Sequence, residues 1–185
     1  MKRVLLGLGS NRSFNNKSPL ELLACAGEEL CCLMKDTVFS SVYKTPAMYV
    51  TDQEDFYNAA VLGYVKDEVS AFDFLKIINQ IEAKYGRDRS REVRFGPRSL
   101  DIDIELFGDE HIETPELQIP HVRMEERAFV LIPGIEVLKN SADELVREKY
   151  KKCLAALKKS GEAEGIIKIK AFPKAVENGT DRECC

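Results

Sequence analysis

Residues 94–108 read RFGPRSLDIDIELFG, and the second half of this stretch alternates between apolar and acidic side chains. The apolar positions are Leu100, Ile102, Ile104 and Leu106, and the acidic positions between them are Asp101, Asp103 and Glu105. Such alternation predicts a β-strand over residues 99–107 with one apolar and one acidic face. Because aspartate is disfavoured in strands, the two aspartates and the arginine-rich loop before them need an explanation beyond folding.

The residues before this strand predict the rest of an α+β sheet. In chain order, the predicted elements are a strand at 3–9, a helix that begins near Ser18, strands at 37–45 and 56–65, and a helix at about 70–85. Ser18 can cap the first helix, with Pro19 at its first position and Glu21 completing a capping box. The order β-α-β-β-α-β predicts a ferredoxin-like α+β fold, a mostly antiparallel sheet with both helices packed on one face.

The C-terminal part of the chain is predicted to extend this core. Residues 124–138 contain a compact apolar stretch, a charged amphipathic helix is predicted at about 142–159, and IIKIKAF at 166–172 could form an edge strand. We therefore predict a single domain over residues 1–160 that includes a C-terminal helical extension. Residues 161–185 are predicted to be a tail that is partly disordered.

The composition excludes several classes of protein. A formal net charge of -4 argues against a general binder of nucleic acids or other polyanions. The six cysteines include no C-x-x-C pair, so we expect free thiols in a reducing cytoplasm and no zinc site. No apolar stretch reaches the roughly 18–20 residues of a membrane span, so we expect a cytoplasmic protein with no membrane partner.

Asp101 and Asp103 point to the same side of the predicted strand and lie about 6.6–6.8 Å apart along it. Two carboxylates at this spacing can hold a pair of divalent cations about 3.5–4 Å apart, and magnesium suits such a site. Alternatively, the acids are simply the solvated face of an edge strand. We assign Glu105 to that alternative, as the solvent-exposed end of the strand.

The loop before the strand favours the metal interpretation for the two aspartates. It carries five arginines, namely Arg87, Arg89, Arg91, Arg94 and Arg98. Clustered arginines repel one another unless anions lie between them, and guanidinium groups match the geometry of phosphate. Acids that bind metal beside arginines that bind phosphate indicate phosphoryl-group chemistry, although the sequence contains no P-loop and no kinase-type glycine loop.

The chain closely resembles the 6-hydroxymethyl-7,8-dihydropterin pyrophosphokinases of folate biosynthesis. The resemblance is carried by RFGPRSLDIDIELFG at 94–108 and IPHVRMEERAFVLIP at 119–133, with shorter matches at LGLGSN (6–11), YKTP (43–46) and FYNAAV (56–61). The family's ferredoxin-like α+β fold agrees with the predicted order of elements. The resemblance implies that a pterin hydroxymethyl oxygen attacks the β-phosphorus of ATP, so that the pyrophosphoryl group is transferred and AMP leaves.

The resemblance also implies roles for individual residues. The expected catalytic residues are Arg87, Arg98, Asp101 and Asp103, and the two aspartates would bind two magnesium ions. The expected ATP-binding residues are Glu82, Arg89, Arg94, Ile104, His121 and Arg127. The expected pterin-binding residues are Thr45, Pro46, Phe56, Asn58, Phe95 and Phe129. The arginine loop is one residue longer than the common version of the motif, so Arg89, Arg91 and Arg94 could exchange roles.

Two other functions fit part of the pattern. A two-metal nucleotidyltransferase also uses a D-x-D pair but releases pyrophosphate, and a ferredoxin-like domain can bind RNA. The strands lack the aromatic pattern of an RNA-binding sheet, and its acids would repel phosphates without metal. We therefore expect ATP and the hydroxymethyl-dihydropterin as substrates, magnesium as cofactor, no nucleic-acid partner and a monomer. Loops at 47–55 and 87–96 are expected to close over the bound substrates.

Overall fold

The computed structural model describes residues 1–48, 52–88 and 96–173. Its strands and helices, in chain order, are β1 (Lys2–Ser10), α1 (Pro19–Leu33), β2 (Lys35–Phe39), β3 (Val42–Thr45), β4 (Phe56–Val65), α2 (Ala71–Lys84), β5 (Asp101–Phe107), β6 (Ile112–Glu113), β7 (Gln118–Ile119), α3 (Ala128–Val137), α4 (Glu144–Ser160) and β8 (Ile167–Lys170). Two short 3₁₀-helices, Met124–Glu126 and Ser141–Asp143, lie just before α3 and α4.

The main sheet has six strands in the order β5-β1-β4-β3-β8, and β2 also pairs with β4. Each of these pairings is antiparallel, which confirms the predicted α+β fold with a mostly antiparallel sheet. The run predicted as one strand at 37–45 is instead two strands. Ser40 and Ser41 separate these two strands. The Ser40 hydroxyl accepts the N–H of Ala60 in β4 at 2.8 Å.

The two helices of the predicted β-α-β-β-α-β core, α1 and α2, lie on one face of the sheet as expected, and the helices of the C-terminal part cover the other face. Helices α1 and α2 pack on the face that carries Leu6, Leu8 and Ile102. Helices α3 and α4 pack on the opposite face, over Leu5 and Leu62. The apolar stretch at 124–138, to which the sequence assigned no structure, contains α3, and this stretch supplies most of the buried residues of the second core. Among the described residues, no helix is long and apolar enough to cross a membrane.

Local sequence fixes where the first two helices begin. The Ser18 hydroxyl accepts the N–H of Glu21 at 3.4 Å, and the Glu21 carboxylate accepts the N–H of Ser18 at 2.7 Å, as the capping box predicts. Ser70 caps α2 by accepting the N–H of Asp73 at 3.1 Å. Gly86, with a φ of +89°, follows α2 and turns the chain toward the arginine loop.

The sheet also includes part of the segment predicted as a tail, 161–185. Strand β8 pairs with β3, with Ile167 opposite Lys44. After β8, the ring of Phe172 packs against Phe39, with ring centroids 4.4 Å apart. The chain beyond residue 160 therefore returns to the folded core before it leaves the described region.

Candidate active site

A cavity of about 740 Å³ lies between α3 and the strands β1, β4 and β5. The predicted site residues that line it are Thr45, Pro46, Phe56, Asn58, Arg98, Asp101, Asp103, Arg127 and Phe129. One cavity thus brings the predicted pterin-binding residues and the predicted metal-binding acids together.

Two glycines of β1 form part of the cavity wall, and the sequence-based prediction did not include them. A Cβ atom on Gly9 would lie 3.0 Å from Oδ1 of Asn58, and one on Gly7 would lie 2.9 Å from Oε1 of Glu105. Larger residues would therefore intrude on side chains that border the cavity. The available signal was the G-x-G spacing within residues 6–11, which places both glycines on one face of the strand.

One end of the cavity is lined by rings and a buried amide. Thr45 pairs with Phe56 across β3 and β4, and Phe129 comes from α3 on the other side. The Asn58 side-chain N–H donates to the hydroxyl of Thr45 at 2.7 Å, which fixes the orientation of the amide. Rings beside a fixed amide suit a flat, polar heterocycle.

Asp101, the first residue of β5, is held between two arginines. Arg87 bonds to one carboxylate oxygen and Arg98 to the other. Burial alone would raise the pKa of Asp101, but the charges and hydrogen bonds of the two arginines outweigh it and lower the pKa below its usual range. Glu82 is buried at the end of α2, where it pairs with Arg87 and accepts the N–H of Ile102 at 2.8 Å. Glu82 therefore lies behind Arg87.

Asp103 has no such pairing among the residues that the structure describes. Its side chain is 36% exposed, and Nη1 of Arg127 lies 3.8 Å from its Oδ2. Partial burial and the negative charge of Asp101 raise the pKa of Asp103 to about 7. A cation placed between the two aspartates would remove this repulsion.

Glu105 is not the solvent-exposed end of the strand, so that prediction was wrong. Its side chain is only 1% exposed and lines the cavity. Leu6 of β1 pairs with Ile104 and Leu5 pairs with Leu106, so β5 has a β-bulge at Glu105. Neither carboxyl oxygen has a hydrogen-bond partner among the described residues, and burial raises the pKa of Glu105 well above its usual range.

Of the predicted nucleotide contacts, Arg127 and His121 lie at or beside the cavity, whereas the side chain of Ile104 lies in the core. His121 lies beside β5, where its backbone N–H donates to the backbone carbonyl of Glu105 at 3.0 Å. Arg127 lines the cavity. Burial lowers the pKa of His121 to about 4, so the imidazole is neutral, and its Nδ1 accepts the N–H of Arg123 at 3.3 Å. Ile104, in contrast, is buried in the core beside α1 and α2, so its side chain does not line the cavity.

Four arginine-loop residues with predicted or alternative roles, namely Arg89, Arg91, Arg94 and Phe95, lie outside the described residues. The same is true of part of each loop that was predicted to close over substrates, 47–55 and 87–96. These assignments stay predictions.

Asn11 organises the cavity entrance although it was not predicted to do so. Its Oδ1 accepts the N–H of Arg98 at 2.7 Å. Its Nδ2 donates to the side chain of Gln53 at 3.1 Å and to the carbonyl of Glu54 at 2.9 Å. Asn11 therefore ties the end of β1 to the segments on both sides of the cavity, and its signal in the sequence was the last residue of LGLGSN.

Comparison with known protein families agrees with the site. The family model for 7,8-dihydro-6-hydroxymethylpterin-pyrophosphokinase (HPPK) matches residues 5–139. The chain belongs to the HPPK family. This confirms the resemblance that the arginine and aspartate motifs indicated.

Individual relatives match over different lengths. The 2-amino-4-hydroxy-6-hydroxymethyldihydropteridine pyrophosphokinase of Bacillus subtilis (strain 168) is 46% identical over 101 residues, which are 55% of this chain and 58% of that protein. The enzyme of the same name from Methylorubrum extorquens is 38% identical over 165 residues, 87% of this chain and 97% of that protein. The crystal structure of Plasmodium falciparum HPPK-DHPS wild type with SDX-DHP has a TM-score of 0.61 at 16% identity, covering 91% of this chain and 47% of that chain. The chain thus spans just over half of the Bacillus protein, and the structural match shows the shared fold.

The HPPK family uses Mg-ATP, and the acids of this cavity fit magnesium. Magnesium prefers oxygen ligands and takes few protein carboxylates, completing its shell with water and phosphate oxygens. Asp101 and Asp103 supply two carboxylates at the cavity wall. Within the described residues, no group of three or more His, Cys, Asp or Glu side chains could hold a metal ion. Magnesium here would therefore take most of its ligands from water and substrate.

Proposed function

We propose that this HPPK-family chain transfers the pyrophosphoryl group of ATP to the hydroxymethyl group of 6-hydroxymethyl-7,8-dihydropterin, giving AMP and the pterin diphosphate. The observation that carries the proposal is the single cavity in which Asp101, Asp103 and Arg98 lie at one end and Phe56, Asn58 and Phe129 at the other. Transfer between two substrates requires both to be held in contact, and a shared cavity provides that proximity.

The apolar end would bind the pterin. Phe56 and Phe129 would contact the two faces of the ring system, and Asn58 would hydrogen-bond its polar edge. The bond from Asn58 to Thr45 supports this role because a fixed amide loses little entropy when it binds a ligand. Pro46 and, from the undescribed loop, Phe95 complete the proposed pterin pocket.

The acidic end would bind the triphosphate. Asp101 and Asp103 would hold two magnesium ions, which would supply positive charge beside the triphosphate and favour ionisation of the attacking hydroxyl group. Arg98 and Arg87 lie against Asp101, so they would be close to the transferred group and would stabilise its charge once magnesium neutralises Asp101. We assign Glu82 an indirect role in this site, because its bond to Arg87 holds that side chain toward Asp101.

Further residues would hold the nucleotide. Arg127, on the cavity wall, and the neutral imidazole of His121 would contact the triphosphate, and Arg89 and Arg94 would join them from the arginine loop. For Ile104 we propose only a backbone contact to adenine, because its side chain is in the core. A monomeric state, the absence of nucleic-acid and membrane partners, and a cytoplasmic location stay predictions.

The nucleotide product tests the proposal directly. The protein is incubated with ATP, magnesium and the hydroxymethyl-dihydropterin, and the products are separated by ion-exchange chromatography. Formation of AMP in equal amounts with pterin diphosphate is the expected result, with no AMP when the pterin is left out. Release of pyrophosphate would indicate a nucleotidyltransferase, and formation of ADP an ordinary kinase; either would contradict the proposal.

A further inference from the structure

The strongest unexplained group in the structure is the carboxyl of Glu105. It is 1% exposed, it lines the cavity, and neither of its oxygens has a hydrogen-bond partner among the described residues. A buried polar group without a hydrogen-bond partner destabilises the folded state. Such a group is worth explaining when it borders a substrate cavity, since a bound state can supply the missing partner.

The cation on the same wall is also incompletely bonded. Nε of Arg127 is buried and has no hydrogen-bond partner among the described residues. Its Nη1 lies 3.8 Å from Asp103, which is too long for a hydrogen bond. The charge of Arg127 attracts Glu105, whereas Asp101 and Asp103 repel it. An N–H donor without an acceptor and an acceptor without a donor therefore border the same cavity.

The backbone places the Glu105 carboxyl where it can serve this arginine. Strand alternation puts Glu105 on the same face as Asp101 and Asp103, toward the cavity, and Gly7 leaves the space that its Oε1 occupies. On its other side, Nδ1 of His121 lies 3.8 Å from Oε2 of Glu105. The Glu105 carboxyl therefore lies beside His121 and lines the same cavity as Arg127, and these are two of the residues that we assign to the nucleotide.

We propose that Glu105 is a positioning residue for the nucleotide: its carboxyl accepts the Nε–H of Arg127 and directs the two Nη groups toward the triphosphate. This rests on the proposed function, in which Arg127 contacts ATP. A planar guanidinium held at Nε has both Nη groups free for phosphate, which is the geometry that phosphate recognition requires.

The test measures binding rather than turnover. The probe is α,β-methylene ATP with magnesium, in which a CH₂ group replaces the oxygen between the α- and β-phosphorus atoms, so that pyrophosphoryl transfer cannot occur. Its Kd is measured by calorimetry. We expect Glu105→Leu to raise this Kd about tenfold, equivalent to about 1.4 kcal/mol. Glu105→Gln, which keeps an acceptor oxygen, should raise it about threefold or less. The Kd of the pterin should change by less than about twofold in both variants.

A double-mutant cycle separates positioning from a general structural effect. In an Arg127→Ala background, Glu105→Leu should produce no further loss, because the group that it positions is gone. Glu136→Gln, an acid substitution away from the cavity, is the matched control and should leave the nucleotide Kd unchanged. An equal loss with and without Arg127, an equal loss for both substrates, or no loss in Glu105→Leu would each overturn the proposal.

The same experiment distinguishes failure of the inference from failure of the proposed function. Wild-type protein that makes AMP and binds the analogue, while Glu105→Leu binds it equally well, would overturn only the role of Glu105. Wild-type protein that neither binds the analogue nor makes AMP would overturn both.

Discussion

Two glutamates, one in α3 and one in β5, differ in how many hydrogen bonds their carboxylates accept. Glu136, in α3, accepts four hydrogen bonds at 2.8–3.2 Å. Its donors are the N–H and hydroxyl of Ser41, the hydroxyl of Tyr43 and the ammonium of Lys168. Glu105, in β5, accepts none through its side chain within the described residues. The first acid joins α3 to β3 and β8, whereas the second borders a cavity.

The two acids also differ in how the fold changes their proton affinity. For Glu136, burial opposes ionisation, but the hydrogen bonds from Ser41, Tyr43 and Lys168 outweigh it and lower the pKa to about 2. For Glu105, burial dominates and raises the pKa well above its usual range. The comparison teaches that partners, and not burial alone, decide whether a buried acid stabilises this fold. An acid left without partners at a cavity is the one to examine for function.

Asp103→Asn should have the largest effect on the function side of this comparison. The amide keeps the shape of the carboxylate but removes its charge, so we expect turnover to fall about a thousandfold, or about 4 kcal/mol of transition-state stabilisation. The measurement is AMP production with saturating ATP, magnesium and pterin.

Thermal unfolding is the control for Asp103→Asn. Because Asp103 makes no close ion pair in the described structure, the Tm should change little. A variant that keeps a near-normal rate would refute the metal assignment of Asp103.

Asp101→Ala should differ from Asp103→Ala in stability. Asp101 neutralises Arg87 and Arg98, so its removal leaves two partly buried guanidinium groups facing each other. We expect the free energy of unfolding to fall by about 3 kcal/mol in Asp101→Ala, measured by urea denaturation, and to change far less in Asp103→Ala. Equal losses in both variants would mean that the ion pairs contribute nothing specific.

The sequence predicted the acidic strand correctly but could not predict the position of Glu105. Alternation runs unbroken from Asp101 to Leu106, which put Glu105 on the same face as the aspartates, and Glu105 was expected to be the solvent-exposed end of that face. Glu105 is buried because the second core, formed with α3 and α4, lies over this end of the sheet at Leu5 and Leu106. Local pattern carries no information on such long-range packing.

The same limit explains the placement of the helices. Capping by Ser18 and Ser70 is local, and both helix starts were accessible from the sequence. Helix α3 contains Pro133 and is apolar on nearly all sides, so periodicity could not assign it as a helix. Its identity follows from the second core that it covers, which is a property of the assembled sheet. Nine of the predicted site residues, in contrast, line one cavity, whereas the side chain of Ile104 lies in the core; the roles of all of them stay predictions.

Glu136→Gln tests the stability side of the comparison. Because the folded pKa of about 2 lies below the ordinary value of 4.5, the stabilisation by Glu136 is present above pH 4.5 and is lost as the pH falls toward 2. At pH 7 the variant should lose about 2 kcal/mol of unfolding free energy, since hydrogen bonds to a charged group are replaced by neutral ones.

The pH series provides the control for Glu136→Gln. The difference between wild-type and variant unfolding free energies should shrink steadily between pH 4.5 and pH 2. A difference that stays constant over this range would show that ionisation of Glu136 is not the source of the stabilisation.

Gly7→Ala should have the smallest effect and links stability to the cavity. The new Cβ would lie 2.9 Å from Oε1 of Glu105, the flexible end of a side chain, so we expect a loss of about 1 kcal/mol or less in unfolding free energy. In a Glu105→Ala background the contact is absent, and the same substitution should be neutral or stabilising, because alanine loses less entropy than glycine on folding. Equal losses in the two backgrounds, measured by urea denaturation, would show that the space beside Gly7 is not reserved for the Glu105 carboxyl.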